Sequence, residues 1–245
     1  AAFAVLFYRS LRYRRYLVGY KRGKYNFTDI LSLNKMGWMV GLQMGLETAL
    51  FSITGIMIGW LGSIALAAHQ VMVAISTLGF MIYYGVGAAV SVRVSNYFGR
   101  QELLHVRRTT MAGFHLILCL AVCACTVFLF SRELIGYLFT TSEEVIRVVS
   151  TLVYILLAYQ FGDALQITYA NSLRGIGDVI SMAVISFIGY FLIAMPVCYI
   201  CGFVLEWGIT GIWIGYPIGL TLTGVMLCGR YYWKLKTKTQ SKEFY

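Results

Sequence analysis

Charge is scarce in this sequence of 245 residues. Asp, Glu, Lys and Arg make up 12% of it, and acids number only 10. A soluble globular domain of this size carries about twice that charged fraction, so that class is excluded. Proline is scarcer still: Pro196 and Pro217 stand alone. Each removes a helix donor and predicts a kink in one of the last two helices. Cysteine offers no metal or redox framework. Cys119, Cys123 and Cys125 share one apolar run, and Cys198 and Cys201 form a C-x-x-C in another. Neither has a βαβ context or a second ligand pair, so the thiols read as small packing residues. His69 and His115 read as helix-packing partners. His115 and Cys119, at i and i+4, lack the third ligand a metal needs.

What the chain does have is apolar length. Apolar residues reach 59% and mean hydropathy is +0.74. Six runs, at 36–60, 64–92, 110–130, 145–173, 179–205 and 209–229, are long enough to cross a bilayer, which needs about 20 helical residues. The expected fold is an all-α polytopic membrane protein, a bundle of six transmembrane helices. Residues 1–8 read as the end of one more helix. A start on Ala1 rather than Met is what a fragment of a longer chain would show.

The net charge of +10 has a pattern. Eighteen of the 20 Lys and Arg residues fall in segments 9–35, 93–109, 174–178 and 230–245. The opposite set of loops holds only Arg132 and Arg147. The positive-inside rule puts the four basic segments in the cytoplasm. Charge split among loops at membrane edges predicts a lipid partner and no nucleic acid. Trp38, Trp60, Trp207, Tyr231, Tyr232 and Trp233 fall near span ends, where aromatic rings settle at the headgroups.

Two acids break the apolar pattern. Glu47 lies 12 residues beyond Lys35, about 18 Å into its helix, and Asp163 lies 11 residues before Arg174, about 16 Å in. The two helices run in opposite directions, so both acids reach similar depth near the midplane. Gln43, Glu47 and Thr54 share one helical stripe, as do Tyr159, Asp163 and Gln166. Polar stripes at membrane depth face protein or a water-filled cavity, not lipid. Carboxylate, amide and hydroxyl oxygens suit a hard cation such as Na⁺, and carboxyls in a dry site could carry a proton instead. The alternative is that both acids are structural and hydrogen-bonded to neighbouring helices. Gly55 and Gly59 form a G-x-x-x-G pair of the kind that lets membrane helices approach closely.

Residues 160–178, Gln160-Phe-Gly-Asp-Ala-Leu-Gln-Ile-Thr-Tyr-Ala-Asn-Ser-Leu-Arg-Gly-Ile-Gly-Asp178, resemble the tenth helix and following loop of multidrug and toxic compound extrusion (MATE) transporters. Gly45-Leu-Glu47, Met57-Ile-Gly-Trp-Leu-Gly62, Ala65-Leu-Ala-Ala-His-Gln70 and Gly85-Val-Gly-Ala-Ala-Val-Ser-Val-Arg-Val94 resemble that family's seventh and eighth helices. The resemblance covers nearly all of residues 35–230. It implies one lobe, the C-terminal one, of a twelve-helix fold built from two six-helix lobes. Residues 1–8 would end the preceding helix, 9–35 would be the cytoplasmic inter-lobe loop, 36–229 the lobe and 230–245 a basic cytoplasmic tail.

The resemblance further implies an antiporter of the plasma (inner) membrane. It would exchange Na⁺ or H⁺ for bulky, often cationic organic compounds by alternating access, with no other cofactor. Glu47 and Asp163 would couple the cation, with Tyr159 one turn away. Gln43, Thr54 and Gln166 are candidates for lining the cavity. The partner would be the missing N-terminal lobe. Two alternatives remain. A flippase of lipid-linked intermediates would line its cavity with arginines, and the predicted spans contain no Arg or Lys apart from Arg147 at the end of one of them. An intramembrane acid/base enzyme would need a nucleophile or metal set at the same depth, and none stands out.

Overall fold

A computed structural model describes residues 26–243, with side chains to residue 238. The helix end expected at 1–8 and residues 9–25 of the expected loop lie outside the described residues. Among the described residues the chain forms only helices: α1 (Phe27–Gly59), α2 (Ser63–Gly99), α3 (Leu103–Phe130), α4 (Arg132–Phe139), α5 (Glu143–Gly175), α6 (Val179–Val204) and α7 (Gly208–Glu243). All but α4 are long and apolar enough to cross a membrane.

Helix ends differ from the hydropathy boundaries. Residues 27–35, expected as loop, are the first turns of α1, and 230–243, expected as tail, continue α7. Hydropathy marks where the bilayer ends, whereas backbone hydrogen bonding continues into water wherever no breaker stops it. The start of α1 is set by Asn26, whose side-chain oxygen accepts the Thr28 amide at 3.2 Å, an N-cap. Residues 26–38 belong to one compact unit and Met39–Tyr245 to a second. The packing that follows is that of the second unit.

In that unit α5 is the central helix. It packs against α2, α3 and α7, and nearly all of its second half is buried. α3 is its opposite. Only the stripe Val106, Thr110, Gly113, Ile117 and Ala121 is buried, recurring every three or four residues, so one narrow face meets protein and the rest meets lipid. α6 and α7 come together on small residues. A methyl added at Gly211 would collide with the backbone of Cys201, one at Gly215 with Cys198 and one at Gly219 with Ala194. Without a hydrophobic drive between helices in lipid, such close approach supplies the contact. Of the G-x-x-x-G pair on α1, Gly55 does face a neighbour, His69 of α2, but Gly59 meets open space. His69 also packs edge-on against Trp213, centroids 5.7 Å apart.

α6 departs from a simple proline kink. Pro196 sits in a short α-helical stretch, Met195–Tyr199, flanked by π-helical turns at Ile188–Ala194 and Ile200–Val204. Of the expected aromatic belt, Trp38, Trp60, Trp207 and Trp233 are exposed, but Tyr231 is fully buried. Its hydroxyl pairs at 2.8 Å with Thr110, which also bonds Ser172 of α5 at 3.1 Å, so the ring turns into the bundle and not to the headgroups. α4 was not visible as an apolar run. It buries Ile135 and Gly136 while Leu134, Leu138 and Phe139 stay exposed, the pattern of a short helix lying at a membrane surface.

Beyond α5 the chain turns through Gly177, whose φ of +77° favours glycine, and delivers Asp178 to α7. Asp178 Oδ2 accepts Arg230 Nε at 2.7 Å, and Oδ1 accepts Ser181 Oγ at 2.9 Å. Partial burial opposes the Asp178 charge. The hydrogen bonds from Arg230 and Ser181, with the charges of Arg230 and Lys234, outweigh it and hold the carboxyl below the usual aspartate range.

Candidate functional site

Glu47 projects from α1 to the place where α5 and α6 meet it. Its Oε2 accepts three hydrogen bonds: Gln43 Nε2 at 3.2 Å, Gln166 Nε2 at 3.4 Å and the Tyr190 hydroxyl at 3.4 Å. Gln166 also donates to the Tyr190 oxygen. The stripes expected on the first and fourth spans therefore do meet, through Gln43 and Glu47 on one side and Gln166 on the other. Tyr190 was missed by sequence reasoning. It lies alone in the run Ile188–Ala194, and the one polar residue at helical spacing before it is Ser186, four residues back and also buried. Its signal was the single hydroxyl in an otherwise apolar stretch.

Asp163 is one turn from Gln166 on α5 and is fully buried. Neither of its carboxylate oxygens has a hydrogen-bond partner among the described residues. It lies within Coulombic reach of Glu47, and Tyr159 and Tyr190 lie within reach of both acids. A buried polar group without a partner costs about 1–3 kcal/mol, and an ionised one costs more. The geometry thus provides two acids at one site. Oxygen ligands from Glu47 and Asp163, with nearby amide and phenol oxygens, could hold a hard cation, and either carboxyl could take a proton. Among the described residues no three His, Cys, Asp or Glu side chains form a metal cluster.

A cavity of about 220 Å³ opens beside Glu47. Phe51, Phe80 and Tyr159 give it aromatic walls, and Ser76, Thr77 and Thr48 give it hydroxyls. Tyr159, expected beside the two acids, lines this cavity. Gln43 and Gln166 line a smaller crevice that also borders Glu47, together with Arg174. That guanidinium corrects the expectation of spans free of Arg: α5 continues to Gly175, so Arg174 is still helical and turns towards the acid. Thr54 lines neither space. It is fully buried and its hydroxyl pairs with Tyr216 of α7, because two turns beyond Glu47 the same stripe of α1 meets a different helix.

The MatE family model matches residues 40–200. The chain belongs to the MATE family. It is 34% identical over 220 residues to "Multidrug resistance protein NorM" of Photobacterium profundum, covering 88% of this chain and 47% of that protein. It is 32% identical over 214 residues to the protein of the same name from Vibrio cholerae, covering 85% and 47%. Solved structures agree on the fold. The eukaryotic MATE transporter AtDTX14 superposes with a TM-score of 0.79 at 20% identity, over 89% of this chain and 51% of that one. A MATE protein in complex with MaL6 gives 0.81 at 14% identity, over 89% and 49%. The chain therefore spans about half the length of these relatives, as one six-helix lobe does. MATE proteins are transporters, so the enzyme alternative falls away.

Proposed function

We propose that this chain is the C-terminal half of a cation-coupled antiporter of the plasma (inner) membrane, exporting bulky organic cations by alternating access. The observation that carries the reading is Asp163, a fully buried carboxyl with no donor on either oxygen, within reach of a second acid at a cavity. A group this costly to bury is retained for a task or a bound partner. Na⁺ or H⁺ supplies the partner. Cation binding at Asp163 and Glu47 and drug binding in the aromatic cavity then exclude each other, so that arrival of one goes with departure of the other across one cycle. Phe51, Phe80 and Tyr159 beside a carboxylate suit an aromatic or quaternary cation, which ring faces and negative charge both attract. The names of the relatives as multidrug resistance proteins support the same direction.

One lobe provides one wall, and alternating access needs a second bundle to rock against it. The partner is the N-terminal lobe, and the four basic segments face the cytoplasm. The test uses the whole transporter that contains this lobe. Glu47→Gln and Asp163→Asn keep shape and remove the charge. Each should reduce ion-gradient-driven efflux of a fluorescent organic cation to background, normalised to protein in the membrane. Efflux at the parental rate in both variants would sink the coupling assignment.

A further inference from the structure

A second cavity, of about 430 Å³, lies between α2 and α3 and shares no lining residue with the spaces around Glu47. Arg93 of α2 and Arg108 of α3 stand at one end of it, with Tyr97 and His105 beside them. Both helices turn apolar in the same direction from there. Along α3 the wall runs from Arg108 to Leu116, eight residues or about 12 Å. Along α2 it runs from Arg93 back to Val86. Leu116 is 52% exposed, so the groove is open along its apolar wall.

Neither Arg93 nor Arg108 has an ion-pair or hydrogen-bond partner among the described residues. No acid lines the groove. The nearby carboxylate of Glu102 is turned to His105, 3.5 Å away, and the His105 ring stacks on Tyr97 with centroids 5.2 Å apart. Two free guanidiniums above an apolar channel make an amphiphilic site of one polarity. A guanidinium pairs with a phosphate oxygen in bidentate geometry, and basic sites between membrane helices recognise acidic headgroups.

We propose that this groove binds an anionic phospholipid. Its phosphate sits between Arg93 and Arg108, and one acyl chain lies along Ala112 and Leu116. The proposal needs only the membrane location, so it stands or falls independently of the coupling assignment.

Native mass spectrometry of the whole transporter in detergent tests it. The probes are phosphatidylglycerol, phosphatidylcholine with the same chains, and inorganic phosphate. Phosphatidylglycerol should be retained as one tight adduct. Arg93→Gln and Arg108→Gln should each weaken it about fivefold, the loss expected for one basic side chain at an anionic headgroup. Arg100→Gln, outside the groove, should leave it unchanged. Both arginines are exposed, so the variants should keep the parental melting temperature in neutral lipid. The lysine pair Arg93→Lys with Arg108→Lys should retain part of the binding.

Three results would overturn the proposal. One is phosphatidylglycerol retention unaffected in both glutamine variants. Another is equal retention of phosphatidylcholine. The third is inorganic phosphate displacing the adduct at millimolar concentration, which would make the site one for a free anion.

Discussion

Glu47 and Asp163 are the same chemical group at similar depth, yet their surroundings are opposite. Glu47 is half-buried, borders a cavity and is held by donors from three helices. Asp163 is sealed and has no donor. Asp178, in the turn after α5, completes the series, with an arginine and a serine committed to it. The difference teaches that position in an apolar run says where an acid costs most. Its partners say whether the cost has been met by the fold. Asp178 is a structural acid, Glu47 is poised, and Asp163 awaits something the bundle does not itself supply.

The comparison breaks most readily on stability, read as thermal unfolding of the whole transporter in detergent. Glu47→Ala strands the donors of Gln43, Gln166 and Tyr190 and should cost about 3 kcal/mol. Asp163→Ala removes a buried acid that had no partner, and gains helix propensity, so it should stabilise by about 1 kcal/mol. Opposite signs would sharpen the contrast. Destabilisation in both would mean that Asp163 is as well partnered as Glu47.

Arg230→Gln should cost about 2 kcal/mol by breaking a partly buried, charge-assisted pair. Because the folded Asp178 carboxyl lies below its ordinary value, the stability from this pair is fully present above the ordinary aspartate value of about 3.9. It is lost only as pH falls below that value. The gap between parent and variant should therefore be flat from pH 7 to pH 5 and close under stronger acid. A gap that closes nearer neutrality would show that another group carries it.

The smallest effects separate Tyr190 from Thr54. Tyr190→Phe removes one hydroxyl from Glu47 and Gln166, worth about 1 kcal/mol, and should slow efflux about fivefold with little change in expression. Thr54→Val breaks the pair with Tyr216 for a similar cost in stability but should leave efflux per molecule unchanged. If Thr54→Val slowed efflux as much as Tyr190→Phe, the site would extend further along α1 than Glu47.

The six spans were legible because bilayer thickness demands long apolar runs, and the paired stripes were legible because polar groups at that depth must face inward. The turns beyond residues 36 and 229 were not, since hydropathy reports lipid contact and not backbone hydrogen bonding. α4 was too short to register. Thr54 shares a stripe with Glu47, yet stripe membership names a helix face, not the neighbour that covers it. Tyr190 escaped for a backbone reason. It sits in a π-helical turn, where the 3.6-residue period that sorts faces no longer holds.

A π turn is an α turn holding one residue too many, so α6 stores spare length in two places along one span. Surrendering that residue would turn the helix beyond it by about 100° while its amides exchange one carbonyl for the next. Tyr190 lies in the first of these turns, whose Ala194 already belongs to the close-packed seam with α7. The segment that touches Glu47 is thus one of the two places where α6 can rewind.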